Sequence, residues 1–245
     1  MKTIQDRRVA LVTGANKGIG LEIARQLGQA GVHVIMAARD AEHGATAVET
    51  VRSDALSVSG VQLDTTDESS IAAAATAISD EHGRLDILVN NAGIADWRDG
   101  PPSTASLDAV RAQLETNFVG TLAVTQAMLP LLRRSPAGRI VNLASILGSL
   151  AANGDPTSPV SAASAIGYNA SKAAVNLLTI QLAAELADTS IVVNSVSPGF
   201  VQTDLTGGKG NVTPAEGAAL PVKYALLGGD AMSGGFVGAA GPLPW

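Results

Sequence analysis

With 245 residues, 46% of them hydrophobic, the chain can bury a substantial core, and it is read as one α/β domain. A net charge of -6, with 16 Lys and Arg spread along the chain, argues against a general nucleic-acid binder, because phosphate contacts demand clustered cations. The sequence contains no Cys, which removes disulfides, thiolate nucleophiles and Cys-based zinc sites. His33, His43 and His82 lack metal-ligand spacing, so solvated or structural roles are expected and no metal site.

The stretch from Met1 to Arg8 has no apolar leader core, and no later run reaches the length of a membrane span. A soluble, cytoplasmic protein without membrane partners is expected. Residues 9–13 (VALVT) form a continuous apolar run, as in a strand buried on both faces, and TGANKGIG follows at once. A helical pattern then starts near Ile19. Strand, glycine turn and helix in that order make a phosphate-binding site: Gly14 and Gly18 permit the turn, and Gly20 lets the helix pack closely with its N-terminal amides facing the anion. The spacing G-x-x-x-G-x-G is neither G-x-G-x-x-G nor a P-loop.

The next strand, residues 32–37, ends with Ala38-Arg39, and no carboxylate follows until Asp40. An acidic residue at this place would accept ribose hydroxyls, whereas an arginine accommodates a 2'-phosphate. Arg39, with Lys17 from the glycine loop, therefore points to NADPH. Helices near 40–52 and 68–82 alternate with strands at 57–63 and 85–89, implying a doubly wound parallel sheet with helices on both faces. At two strand ends stand Asp64, which either accepts from an adenine amine or caps a helix, and Asn90-Asn91-Ala92-Gly93, whose small residues admit a ring closely.

A linker-like stretch, residues 97–103, precedes a long helix over residues 107–132. Asn117 lies within it, either bracing an irregular turn or holding a water. The strand at 138–143 delivers Ser145 to the same edge; without a His or acidic partner, its hydroxyl is better suited to donate to a carbonyl oxygen than to act as a nucleophile. Tyr168 and Lys172 stand four apart at the start of the apolar stretch running to Leu186, so both can point at one volume. A nearby ammonium lowers the pKa of an acid, which would make Tyr168 a usable proton donor or acceptor.

TGANKGIG, NNAG, Asn117, Ser145, Tyr168-x-x-x-Lys172 and the run SPGFVQT from Ser197 to Thr203 stand in one order. Together they resemble the short-chain dehydrogenase/reductase family over essentially the whole chain, and most resemble its NADPH-dependent carbonyl reductases. The resemblance implies a single-domain Rossmann-type sheet of about seven parallel strands. It implies that Tyr168 is the acid/base, that Lys172 holds the nicotinamide ribose and lowers the tyrosine pKa, that Ser145 polarises the carbonyl, and that Asn117 anchors a relay water. NADPH/NADP would lie against Gly14, Asn16, Lys17, Gly18, Ile19, Gly20, Arg39, Asp64, Asn91, Ala92, Gly93, Tyr168, Lys172, Pro198, Gly199, Val201 and Thr203.

The interval from Ser145 to Tyr168 is longer than is usual in the family, and its polar, turn-rich insertion at about 150–163 is expected to shape substrate entry. The glycine-rich residues 204–213 suggest a mobile lid. Ile94, Leu147, Ala151, Phe200 and Leu205 would line an apolar pocket for a small carbonyl substrate. Alcohol oxidation or imine reduction would use the same scaffold, whereas a non-catalytic dinucleotide sensor would be expected to lack Tyr168, Lys172 or Ser145. Residues 117–132 and 173–186 carry one charge between them, Glu185, so a homo-oligomer, tetramer or dimer, is expected to cover their second faces.

Overall fold

Strand β1 (Val9–Thr13) is buried at all five positions, as its unbroken apolar run requires of a central strand. In the computed structural model, which describes residues 7–228 and 231–245, β1 lies between β2 (His33–Ala38) and β4 (Ile87–Asn90). The leader-free reading falls mostly on residues 1–6, outside the described residues. With β3 (Val58–Gln62), β5 (Arg139–Leu143), β6 (Val192–Val196), β7 (Gly235–Gly238) and β8 (Gly241–Pro242), the sheet runs in the order β3-β2-β1-β4-β5-β6-β7-β8. Seven strands are parallel; the two-residue β8 adds an antiparallel edge that the sequence pattern did not show. The strand order reverses beside β1, and ligands of such sheets bind at the carboxyl ends there.

One face carries α1 (Gly18–Gln29), α2 (Ala41–Arg52) and α8 (Pro214–Ala225), which bury Ile23, Leu27, Val48, Val51 and Val222 against the sheet. The other carries α3 (Glu68–His82), α5 (Gly120–Leu132) and α7 (Ile166–Glu185), burying Ile71, Ile78, Val124, Met128 and Leu182. A buried polar ladder crosses the middle of that second layer. Asn90, Asn142 and Ser195 are register partners on β4, β5 and β6. Asn90 Nδ2 donates to Asn142 Oδ1 at 2.8 Å and to Thr125 Oγ1 of α5 at 3.0 Å. Asn142 Nδ2 donates to Thr179 Oγ1 of α7 at 2.8 Å, and Thr179 and Ser195 share a hydrogen bond. Apolar packing is non-directional; this ladder fixes where α5 and α7 sit along the strands.

The expected helix over 107–132 is α4 (Leu107–Leu114), a π-helical turn at Glu115–Val119, and then α5. The π turn falls on Asn117, the place where an irregular turn was one of two readings. Short α6 (Leu150–Gly154) opens the insertion. The His33 and His82 rings lie 5.0 Å apart, and His33 shares hydrogen bonds with Ser57 and Ser59. Among the described residues no helix is long and apolar enough to cross a membrane.

Candidate active site

The glycine loop between β1 and α1 is shaped by contacts that side chains would block. Gly14 and Gly18 have φ of +61° and +56°, which L side chains rarely adopt. A Cβ on Gly20 would stand 2.3 Å from the Gly14 carbonyl oxygen, so the helix start can lie on the loop only because that atom is missing. No side chain caps α1 and no acidic residue stands in its first turn, whereas Asp40, Asp67, Ser106 and Thr213 cap α2, α3, α4 and α8. The first amides of α1 are thus left for an anion, and the loop residues Asn16, Lys17 and Ile19 flank them.

Across the loop, Asn91 Nδ2 donates to the carbonyls of Thr13 and Gly14, while Thr13 Oγ1 receives the amides of Asn91 and Ala92. A Cβ on Gly93 would meet Asn117 Oδ1 at 3.2 Å and Lys172 Nζ at 3.5 Å, so glycine keeps this floor open beside the lysine. Gly14, Gly20, Asn91, Ala92, Gly93 and Lys172 accordingly form one cradle that fits a dinucleotide. Thr203 closes its far side: its Cγ2 lies 3.3 Å from where a Gly18 Cβ would stand. Pro198, Gly199 (φ +92°) and buried Val201 carry the chain to that point from β6.

Lys17 Nζ pairs with Asp204 Oδ2 at 2.7 Å, an opposite charge that faces it across the mouth. Arg39 is exposed at the end of β2, and the neighbouring Asp40 is turned away to cap α2 through the His43 amide. Asp64 caps no helix; Asp67 does that for α3, and Asp64 Oδ1 instead closes a local turn with the amide and hydroxyl of Thr66.

Tyr168, Ser145 and Lys172 meet at the carboxyl ends of β5 and β6. Ser145 starts a 3-10 turn, Ile146–Gly148, that lies directly on α7: a Cβ on Gly148 would be 2.6 Å from the Lys172 carbonyl carbon. This close approach brings the Ser145 hydroxyl beside the Tyr168 phenol. Ser197 Oγ steadies the turn by accepting from the Ile146 amide at 3.1 Å. Lys172 Nζ donates to the Leu143 carbonyl at 2.8 Å and lies 5.8 Å from the Tyr168 ring centroid.

The expectation that Lys172 lowers the Tyr168 pKa is not met. Burial pushes the phenol up to about 12, with the Ser145 hydrogen bond opposing, and burial pulls Lys172 down to about 8. Both side chains are desolvated, so each resists its own charged form, and the lysine spends a hydrogen bond on Leu143. The result is a tyrosine that holds its proton.

Asn117 braces the wall of the site. Its Oδ1 accepts from the Ile94 amide at 2.8 Å, and its Nδ2 donates to the Ile94 carbonyl at 2.9 Å and to Ser171 Oγ at 3.0 Å. Ile94, Leu147, Phe200 and Leu205 are partly or well exposed, and Ala151 is exposed. The insertion is pinned to the tyrosine helix by Asn169 Nδ2, which donates to Asn153 Oδ1 and the Ala163 carbonyl, each at 3.1 Å. Residues 204–213 form a turn and two glycines of positive φ, then return to bond with Phe200 and Gln202 through Asn211 and Val212.

Two residues of the supposed linker belong to the site. The Trp97 ring lies 6.0 Å from that of Tyr168, and buried Asp99 accepts from the Tyr168 amide at 2.8 Å. Their only sequence signal was an aromatic and an acid among turn formers, which is also the composition of a surface loop.

A family model described as short chain dehydrogenase matches residues 8–212. The protein named carbonyl reductase (NADPH) 1 in Mus musculus is 36% identical over 286 residues, covering 98% of this chain and 99% of that protein. The human protein of the same name is 35% identical, covering 91% and 92%. Among solved structures, the NADPH-bound carbonyl reductase from chicken fatty liver aligns with a TM-score of 0.85 at 29% identity, covering 98% of this chain and 99% of that one. The chain belongs to the short-chain dehydrogenase/reductase family. It is an oxidoreductase, and carbonyl reductases recur among its relatives.

Proposed function

We propose that the protein reduces the carbonyl group of a small, largely apolar ketone or aldehyde to an alcohol, using NADPH, with Tyr168 as proton donor. The observation that carries this reading is the convergence of three side chains: buried Tyr168, Ser145 on the turn packed against α7, and Lys172, whose Nζ lies 5.8 Å from the Tyr168 ring centroid and beside Gly93. An acid that keeps its proton at neutral pH can give it to a developing alkoxide. The relatives named as NADPH carbonyl reductases support the same direction and cofactor.

The cofactor is NADP(H); when bound, it supplies the hydride. Gly14, Gly18, Gly20 and the α1 amides receive its phosphates, Asn91, Ala92 and Gly93 bear its ring-side portion, and Arg39 stands where a 2'-phosphate would be met. Ser145 donates to the substrate oxygen alongside Tyr168, so the charge that forms there meets two hydroxyl donors in a desolvated place. Lys172, with Nζ near Gly93, holds the ribose side of the cofactor. Asn117 keeps Ile94 against the substrate.

Tyr168→Phe keeps the ring and loses the proton, so turnover should vanish while NADPH still binds, measured by NADPH oxidation and by fluorescence titration. Ser145→Ala should cost roughly 2.7 to 4 kcal/mol in kcat if the hydroxyl acts as an oxyanion donor. Near-normal turnover by Tyr168→Phe rejects the reading.

The protein also assembles with copies of itself. Ile166, Leu177 and Ile180 lie exposed along α7, and Val119 is exposed in the π turn just before α5. The insertion turns toward Asn169 instead of these positions, leaving the stripe uncovered.

A further inference from the structure

The helix that carries Tyr168 begins without a cap of its own. Residue 165, at its N-cap, is alanine, and no side-chain acceptor from the local chain meets the first turn of α7. The first amides of a helix have no intrahelical partner, so a buried helix start needs acceptors from elsewhere. They come from residues 99 and 100, more than sixty positions earlier. Asp99 Oδ2 accepts from the Tyr168 amide at 2.8 Å, and the Gly100 carbonyl accepts from the Ile166 amide at 3.3 Å.

Asp99 is itself held. Its Oδ2 also accepts from Gln113 Nε2 at 3.0 Å, and Gln113 Oε1 receives the Asp96 amide at 3.1 Å, so α4 and the 3-10 turn at Trp97–Asp99 are locked together. Gly167 leaves room for this: a Cβ there would be 2.8 Å from Gln113 Nε2 and 3.1 Å from Asp99 Oδ2. Asp99 has no solvent exposure, and its Oδ1 lacks a hydrogen-bond partner among the described residues. A carboxyl group buried with half its acceptors idle is costly, and its one engaged oxygen joins the Tyr168 amide to Gln113. The same turn lays Trp97 against the Tyr168 ring.

We infer that Asp99 is the positioning residue of the catalytic tyrosine, holding the backbone of Tyr168 while Trp97 on the same turn holds its ring. The inference rests on the carbonyl reductase reading above. It assigns Asp99 no contact with substrate or cofactor: it sets the phenol's distance from Ser145 and from the reacting oxygen. Such placement acts on kcat, because displacement of a reacting group by about 1 Å can cost on the order of 10²-fold.

The test is steady-state kinetics with NADPH and 4-nitrobenzaldehyde for Asp99→Ala, Asp99→Ser, Asp99→Asn and Tyr168→Phe, with NADPH affinity from fluorescence titration. Asp99→Asn retains an oxygen that can serve both donors and should keep kcat near the starting value. Asp99→Ala should lose roughly ten- to hundredfold in kcat, with KM and NADPH affinity within about twofold. Asp99→Ser keeps a polar group one bond too short to reach the amide and should behave like Asp99→Ala; it carries the test if the alanine variant does not fold. An unchanged kcat in the serine or alanine variant, or an equal fall in the asparagine variant, overturns the positioning role. Turnover that survives Tyr168→Phe overturns the function reading instead, so the two failures are distinct.

Discussion

Lys172 and Tyr168 respond to the same burial in opposite directions, and this gives the folded protein a pH signature. Lys172 falls from 10.5 to about 8 on folding. Between those values the unfolded chain binds more protons than the folded one, so stability rises with pH, by on the order of 3 kcal/mol for this residue alone. Tyr168 rises from 10.0 to about 12; there the folded chain keeps a proton that the unfolded chain has lost, and stability falls as pH climbs through that range. Chemical denaturation from pH 7 to 10 should show the rise in the cofactor-free protein, and Lys172→Met should flatten it. At this scale the sequence was informative about identity and not about environment. Tyr168, Lys172 and Ser145 could be named from order and spacing, but spacing cannot say that burial outweighs charge in setting their pKa values. Gly14, Gly18 and Gly20 were legible because their reason is local: positive φ and a missing Cβ.

The π turn at Glu115–Val119 shows why one element carries more than its helical pattern suggests. Its irregular turn places buried Asn117 so that a single amide side chain satisfies both backbone groups of Ile94. Asn117→Ala would remove the partner of that amide and carbonyl, and because Ile94 is partly exposed the loss should stay at about 1 kcal/mol. Thermal unfolding should show the loss, and KM for substrate should rise as Ile94 drifts. The α/β alternation up to β5 was legible because its strands are unbroken apolar runs and its helices repeat at 3.6 residues. β6, α8 and β7 were not read, since VVNSV mixes polar residues into a central strand. Those residues include Asn194 and Ser195, whose side chains find partners in Met232 and Gly235 and in Thr179. The turn at Trp97–Asp99 stayed hidden because what it contacts lies some seventy residues away in the chain.

For the whole molecule, the exposed stripe on α7 predicts assembly. Apolar positions that recur along one helix face and stay exposed call for a symmetric partner, and a tetramer is expected slightly ahead of a dimer. Arg133 and Glu185 lie 3.9 Å apart at the far ends of α5 and α7, so charge is confined to the border of the stripe. Light scattering at micromolar concentration should give a multiple of 24.7 kDa; the monomer mass would reject assembly. Leu177→Lys should shift the protein toward monomer.

The Lys17–Asp204 pair spans from the glycine loop to the segment beyond Thr203, and both side chains are mostly exposed. An exposed pair of this kind contributes about 0 to 1 kcal/mol, and salt at physiological strength screens it over about 8 Å. A link this weak restrains the two segments only loosely, and ions in solution loosen it further. Residence of the oxidised cofactor should shorten as ionic strength rises, and Asp204→Asn should leave that residence short and far less sensitive to salt in stopped-flow release measurements.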